Sequence, residues 1–266
     1  MAVFMHIALK KDIYILQQLV SKDFKIKYRR SLLGIVWSVL NPLLMMIVMA
    51  IVFSTMFAVA RTGSIPNYPL YLILGIVTFQ FMSESTSGAL TSIVGASSLL
   101  KKVRIHRWVF PVQKILFGLV NLSFSLIAVA LVMLWFQIIP TWHIVWLPVC
   151  LLLLSIFNAG VGLALAAGDV FFRDIQHLWG VFITAWTYAT PLFWSFDMIQ
   201  GMSPTLQLIM KANPMYSFVM FMRDIFLYQQ SPSAAVLLAC TGWAAAAIVF
   251  GMITFKLSEH KFILYI

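Results

Sequence analysis

Basic residues beside the first apolar stretch carry the clearest chemistry in this sequence. Arg29 and Arg30 follow Lys25, and Trp37 comes shortly after them at the start of a long apolar run. A planar guanidinium binds phosphate through paired hydrogen bonds, and tryptophan is enriched where a membrane meets water. These residues could therefore hold a diphosphate at headgroup depth. Simple anchoring of a cytoplasmic flank to the membrane explains the same cations equally well.

A second basic stretch, at about 97–111, interleaves cations with apolar residues before a proline. This pattern predicts a short helix on the cytoplasmic face, which could insert into a groove of a partner protein and transmit its motion. A helix that only touches lipid would have the same pattern. Opposite charges also stand side by side in a later short connection, where they could pair with another cytoplasmic element or form a simple solvated turn. The residues expected to contact the partner are Lys101, Lys102, Arg104, His106, Arg107, Arg173 and Asp174.

Motifs for catalysis and for nucleotide or metal binding are absent from the sequence. No G-x-x-x-x-G-K-[ST] loop or G-x-S-x-G elbow occurs, and the histidines show no ligand spacing. We therefore expect neither an enzyme nor an ATPase, and no metal or cofactor bound by this chain. Glu84 is the only acidic residue well inside an apolar stretch, so it is a candidate for substrate contact or gating, with helix packing as the alternative. A proton-coupled carrier would need more buried acids.

The composition identifies the surroundings of these residues. Hydrophobic residues make up 62% of the 266-residue chain and charged residues 10%. A soluble domain has roughly a quarter of its residues charged, so the sequence predicts an all-α membrane protein. The net charge of +10 comes from short tracts beside apolar stretches, which favours membrane lipid over nucleic acid as the partner.

The hydrophobic pattern divides the chain into two parts. Residues 1–33 place apolar residues at steps of three or four with cations between them, which predicts an amphipathic helix in the membrane interface. A soluble helix packed on a partner is the alternative. Residues 34–266 are predicted to form a domain of six transmembrane helices. Its spans are expected at about 34–57, 70–93, 113–138, 144–166, 178–196 and 234–255.

The stretch at about 197–233, between spans 5 and 6, is apolar but repeatedly interrupted by proline. Short re-entrant helices in the outer leaflet are therefore expected there, where they could form an outer gate.

The distribution of lysine and arginine along the chain predicts its orientation in the membrane. With the N- and C-termini both cytoplasmic, the inner side carries all 18 of these residues except Arg61, Lys211 and Arg223.

Four short patterns follow one another along the chain. They are Tyr-Arg-x-Ser-x-Leu-Gly-x-x-Trp at 28–37 with Pro42, Lys-Lys-Val at 101–103 with Pro111, Arg173-Asp174 with Thr190-Pro191, and Asn213-Pro214 with Arg223. In this order the chain resembles the permease subunits of type 2 ABC exporters. The resemblance is to the branch that exports O-antigen, capsule, teichoic acid and related cell-wall glycans.

The resemblance implies a permease that moves lipid-linked polysaccharide across the bacterial plasma (inner) membrane. It implies a homodimer flanked by two copies of an ABC ATPase subunit, which would bind ATP and magnesium. Lys25, Arg29 and Arg30 would receive a polyprenyl diphosphate headgroup, and the first and fifth spans would line a conduit. Candidate conduit residues are Phe53, Phe57, Glu84, Trp186, Tyr188, Phe193 and Trp194.

The sequence alone leaves two other functions open. A drug or antibiotic exporter of the same permease superfamily would share the six spans and differ mainly in the leader helix and in the conduit width. A membrane-bound acyl or glycosyl transferase would need an intramembrane histidine or a pair of carboxylates near the interface. The scattered histidines do not supply such a site.

Overall fold

The computed structural model describes residues 2–29, 34–56, 65–103, 105–194 and 204–265. Within these ranges the chain consists of α-helices, short 3-10 turns and irregular connections, and it has no strand. The all-α class predicted from the sequence is therefore confirmed for the described part of the chain.

In the described part of the chain, five helices precede residue 109. They are α1 (Ala2–Tyr28), α2 (Val36–Met56), α3 (Tyr68–Leu90), α4 (Ser92–Gly95) and α5 (Ser97–Leu100). Seven helices follow. They are α6 (Val109–Trp135), α7 (Leu147–Phe171), α8 (Ile175–Ala189), α9 (Pro204–Lys211), α10 (Pro214–Phe226), α11 (Ala234–Ser258) and α12 (Phe262–Tyr265). Single 3-10 turns, Trp142–Trp146 and Glu259–Lys261, precede α7 and α12.

Among the described residues, three helical stretches are long and apolar enough to cross a membrane. They are Val109–Trp135, Trp142–Phe171 and Ala234–Lys261, and Val36–Val52 forms a shorter apolar helix. These stretches coincide with four of the six predicted spans. The helices α3 and α8 occupy the positions of the other two.

Helix α8 ends earlier than the span predicted at about 178–196. Its last residue is Ala189, and Thr190 has a ψ of 137°, which is extended backbone. Pro191 is the physical reason, because proline has no backbone N–H and disfavours helical backbone at the residue before it. The helix therefore has 15 residues, fewer than the roughly 20 that a straight helix needs to cross the hydrocarbon layer.

Helix α3 lies at the centre of the fold. Asn67 caps its N-terminus by accepting a hydrogen bond from Leu70 N at 3.0 Å, and Pro69 stands in its first turn, both of which favour a helix start. The helix packs against α2, α6, α7, α8 and α10. Its N-terminal half is almost wholly buried, and Leu70, Leu72, Ile73 and Leu74 are 0% exposed. This half forms the middle of the hydrophobic core.

Helices α7 and α11 cross at two glycines. A Cβ atom on Gly160 would lie 2.2 Å from the carbonyl carbon of Ala247, and one on Gly251 would lie 2.1 Å from Gly160 O. Both distances are far below van der Waals contact. Small residues that let backbones approach closely are typical of helix pairs in membranes.

We expect Gly160→Ala to destabilise the protein, because the added methyl group forces the two helices apart. Overpacking of this kind typically costs about 1–3 kcal/mol, which a thermal unfolding curve of the detergent-purified protein would resolve. Gly242→Ala on α11 is the control, since a Cβ there meets nothing within 4 Å. Equal unfolding temperatures for the two variants would contradict the close crossing.

Candidate functional site

Acidic residues fasten α1 to α6 and to the segment that precedes it. Asp12 is buried, and its Oδ2 lies 2.8 Å from Nδ1 of His106. Asp23 accepts a hydrogen bond from Gln113 Nε2 at 2.7 Å and pairs with the Lys114 ammonium. The two aspartates lie about three turns apart on α1 and so share one face. This spacing could have suggested an internal contact, but sequence reasoning noted only that both acids lie outside the apolar spans.

The junction between α1 and α2 is also tied to α6. The Tyr28 hydroxyl contacts Ser38 Oγ and donates to Asn121 Oδ1 at 3.2 Å. Ser125 Oγ donates to the carbonyl of Ser38 at 3.4 Å. The end of the basic helix and the start of the first apolar helix are therefore held at one place on α6.

The cations predicted to hold a headgroup stand at this junction. Lys25 and Arg29 are exposed, and Trp37 is 46% exposed. Arg30 lies outside the described residues. Lys27 Nζ is 5.6 Å from the ring centroids of both Tyr28 and Phe117, so the neighbouring lysine packs against aromatic faces instead.

The segment predicted to couple to a partner contains one helical turn, α5, followed by exposed Lys101 and Lys102. Arg104 is outside the described residues. His106 contacts α1, as described above, and the Arg107 guanidinium donates to the carbonyl of Glu259 and lies 6.0 Å from the Phe262 ring. The end of this segment is therefore held between α1 and the C-terminal turn.

Arg173 and Asp174 are exposed in the turn between α7 and α8. Within the described ranges they form no ion pair. The neighbouring Asp169 is buried at the end of α7 and accepts a hydrogen bond from Gln176 Nε2 at 2.9 Å. This bond links α7 to the first turn of α8 and sets the position of the exposed pair.

An aromatic cluster joins α8 to α3. Ring centroids are 5.2 Å apart between Trp179 and Phe182, 5.1 Å between Phe182 and Trp186, and 6.3 Å between Trp186 and Phe79. Trp186 Nε1 donates to Asn213 Oδ1 at 2.7 Å. The ring of Trp186 is therefore engaged in holding α8 against its neighbours.

Asn213 connects this cluster to α10. Its Oδ1 also accepts from Met215 N at 3.0 Å, which caps α10, and its Nδ2 donates to Thr190 Oγ1 at 2.9 Å. Sequence reasoning used Asn213 only as part of a pattern and missed this role. The signal was the Asn-Pro start of a helix, where an asparagine cap is common.

The other predicted conduit aromatics fall in different environments. Tyr188 is 68% exposed, Phe193 is 8% exposed and Trp194 is intermediate. Trp194 Nε1 donates to the carbonyl of Tyr188 at 3.3 Å. The side chain of Phe53 and the whole of Phe57 lie outside what the structure describes. Among the predicted conduit aromatics whose side chains the structure describes, Tyr188 is the most exposed.

Arg223 on α10 is completely buried, at 0% exposed. Its Nη1 donates to Pro191 O at 2.8 Å, and its Nη2 donates to Tyr71 O and Leu192 O at 3.2 Å each. The guanidinium carbon lies 3.3 Å from the centroid of the Tyr71 ring. Gly75 leaves room for this group, since a Cβ there would lie 3.0 Å from Nη2. Arg223 thus fastens α10 to α3 and to the turn after α8.

The sequence expectation placed Arg223 on the outer side, in the re-entrant stretch at about 197–233, and did not predict that its side chain is buried. The residue is part of the core, and its charge is stabilised by carbonyl oxygens and an aromatic face. The local sequence gave no sign of this, because the acceptors come from α3 and from the turn after α8.

Glu84 lies on the uncovered side of α3. It is exposed, and its Oε1 accepts a hydrogen bond from Gln80 Nε2 at 2.6 Å. The adjacent Ser85 is buried and its Oγ donates to the carbonyl of Met82 at 3.2 Å. The carboxylate is therefore held by one neighbour on its own helix and remains accessible.

Comparison with known proteins extends over nearly the whole chain. A family model described as ABC-2 type transporter matches residues 14–227. The chain is 32% identical over 252 residues to the O-antigen export system permease protein RfbA of Myxococcus xanthus, covering 91% of this chain and 95% of that relative. It is 28% identical over 208 residues to the protein of the same name from Klebsiella pneumoniae, covering 78% of each.

We expect Arg223→Lys to lower the free energy of unfolding by about 3 kcal/mol or more. An ammonium cannot reach three separate carbonyls as the guanidinium fork does, and each buried group left unsatisfied costs about 1–3 kcal/mol. Thermal unfolding in detergent would measure the change. Arg173→Lys, at an exposed position, should change stability by about 0.5 kcal/mol or less. A similar small effect at both positions would show that the buried contacts of Arg223 are dispensable.

Proposed function

Because the chain belongs to the ABC-2 type transporter family of membrane proteins, we propose that it is the permease subunit of an ATP-driven exporter of lipid-linked polysaccharide. The observation that carries this proposal is the 32% identity to an O-antigen export permease over 95% of that relative. A match that runs nearly end to end supports a shared role of the whole chain. The substrate class is then a bacterial cell-wall glycan such as O-antigen, carried across the plasma membrane.

The proposed membrane arrangement has six spans. They are α2, α3, α6, α7, α8 with the turn that follows it, and α11. The N-terminal segment 1–33 lies at the cytoplasmic interface, and both termini are cytoplasmic, because this orientation places most of the cations inside. The short helices α9 and α10 re-enter the outer leaflet. The burial of α10 and its attachment through Arg223 support this, since backbone at such depth must be shielded by protein.

The chain has no recognisable nucleotide site of its own, so ATP and magnesium belong to a separate ABC ATPase subunit. Two copies of that subunit would flank a homodimer of this chain. The ATPase would contact the segment at about 97–111 together with the turn at Arg173 and Asp174. Its motion would then reach α1 through the contact of His106 with Asp12 and reach the C-terminal turn through Arg107.

The headgroup of the lipid-linked substrate would bind at the junction between α1 and α2. Lys25, Arg29 and Arg30 would hold the diphosphate, and Trp37 would anchor the junction at the interface. The exposure of Lys25 and Arg29 supports this role. The attachment of Tyr28 to α6 supports it further, because it fixes where the cations stand.

The proposed conduit lies beside α2 and α8. Both helices have uncovered apolar faces, with Val48 53% and Val181 71% exposed, which a second copy and the passing glycan could cover. Tyr188 and Trp194 would stack on sugar rings, and Phe53 and Phe57 remain candidates on α2 and just beyond it. Trp186 and the buried Phe193 would support the wall from behind.

Reconstitution tests the function directly. Vesicles that contain this permease with its ATPase should export a polyprenyl diphosphate-linked glycan when ATP and magnesium are added. Vesicles with the permease alone should export nothing, because the chain has no power source. Glycan transfer by the permease alone, or no transfer by the full complex, would contradict the proposal.

A substitution at Arg29 tests the proposed headgroup site. Arg29→Gln should lower export about tenfold, because a charge-assisted hydrogen bond to phosphate is worth about 1.5–3 kcal/mol. The complex with the ATPase should still assemble and hydrolyse ATP. Lys22→Gln, an exposed lysine earlier on α1, is the matched control and should export normally. Equal export by the two variants would exclude Arg29 from the headgroup site.

A further inference from the structure

The uncovered side of α3 is polar, whereas the uncovered sides of α6 and α11 are mainly apolar. On α6 the exposed positions include Leu116, Ile127, Leu131 and Leu134, as lipid contact requires. In the C-terminal half of α3 and just beyond it, the positions that are not buried carry polar side chains or glycine instead of apolar side chains. They are Gln80, Ser83, Glu84, Ser87, Gly88 and Thr91.

Four of these residues form one line along the helix, which we call the α3 stripe. Gln80, Glu84, Ser87 and Thr91 recur at steps of three or four, so they lie on the same face. Val77 and Ile73 continue this face about one and two turns before Gln80 and are 1% and 0% exposed. The stripe therefore begins where α3 loses its protein cover.

The neighbours of α3 show where the stripe opens. On one side Ser85 packs against α6, since a Cβ on Gly118 would lie 2.9 Å from that of Ser85. On the other side Phe79 packs against Trp186 of α8. Helix α2 contacts both α3 and α6. The α3 stripe therefore opens between the contacts of α3 with α6 and with α8, and α8 borders the proposed conduit.

A carboxylate on a membrane helix is not stable against hydrocarbon and faces water or protein instead. No cation neutralises Glu84 among the ion pairs of the described residues. Lys114 lies close to Gly88, but its ammonium is paired with Asp23. The stripe thus presents one accessible negative charge together with an amide and two hydroxyl groups.

We propose that the α3 stripe is a hydroxyl-binding face that the exported glycan follows, and that its carboxylate suits uncharged or amino-substituted sugars and opposes polyanionic chains. The inference rests on the proposed function and narrows its substrate class. Carboxylate, amide and hydroxyl groups together accept from and donate to sugar hydroxyls. A repeating phosphate or carboxylate would be repelled by Glu84 in a site of low dielectric.

Accessibility tests the position of the stripe. In the permease–ATPase complex in vesicles, Glu84→Cys should react with a charged, water-soluble maleimide, and a lipid-linked glycan should slow the reaction. Ser123→Cys is the matched control, because Ser123 is exposed on the apolar outer face of α6 and should stay unlabelled. The native cysteines are both buried. Absence of labelling at position 84, or a disulfide between two copies there, would overturn the proposal.

Transport by the same complex tests the chemistry. With an uncharged glycan, Glu84→Leu should lower export about tenfold and Glu84→Gln by a smaller factor, since a hydrogen bond to a charged group is worth about tenfold or more. With a sugar-phosphate polymer, Glu84→Gln should raise export relative to wild type. Ser123→Leu should match wild type with both substrates.

The outcomes separate this inference from the proposed function. Wild-type complex that exports neither glycan would overturn the proposed function and the inference together. Wild-type export with no effect of either Glu84 variant, while ATP hydrolysis is unchanged, would overturn the α3 stripe alone.

Discussion

Hydrocarbon offers no hydrogen-bond partner, so a charged group buried in a membrane domain depends on partners within the protein. Arg223 shows this dependence most clearly. Pro191 ends α8 and leaves a non-helical turn whose carbonyls point to the guanidinium, and Gly75 has no side chain to block the approach. The carbonyl groups after the end of α8 accept hydrogen bonds from Arg223 on α10, and the missing side chain of Gly75 on α3 leaves space for the guanidinium. Changing any of these features would leave buried polar groups without partners.

Ion pairs and hydrogen bonds also fix the position of α1 and of the segment that precedes α6. Asp12 and Asp23 are acids on an otherwise basic helix. Asp12 pairs with His106 just before α6, and Asp23 pairs with Lys114 in its first turns. The segment before α6 is fastened to α1 by His106 and to the C-terminal turn by Arg107. A force applied at this segment therefore acts on α6, α1 and the chain end together. In the proposed exporter, this convergence would suit the segment to couple the ATPase to the membrane domain.

The sequence predicted the helices well and their mutual contacts poorly. Runs of apolar residues located α2, α3, α6, α7, α8 and α11, because burial in lipid or core needs continuous hydrophobicity. The end of α8 was placed too late, since the apolar residues after Pro191 continued the pattern. The partners of Arg223 and Trp186 were not predicted, because Tyr71 and Asn213 come from other parts of the chain. Such pairings follow from the fold and are not contained in local spacing.

The uncovered faces of one copy also differ from one another in a way that bears on assembly. Helices α2 and α8 expose apolar side chains, which lipid can cover, but the α3 stripe exposes Glu84, which lipid cannot stabilise. In the proposed arrangement a second copy closes this side and encloses water or glycan along the stripe. A single copy in the bilayer would leave the carboxylate against hydrocarbon. Dimerisation would therefore create the environment that the polar face of α3 needs, and the path for the substrate would exist only in the assembled exporter.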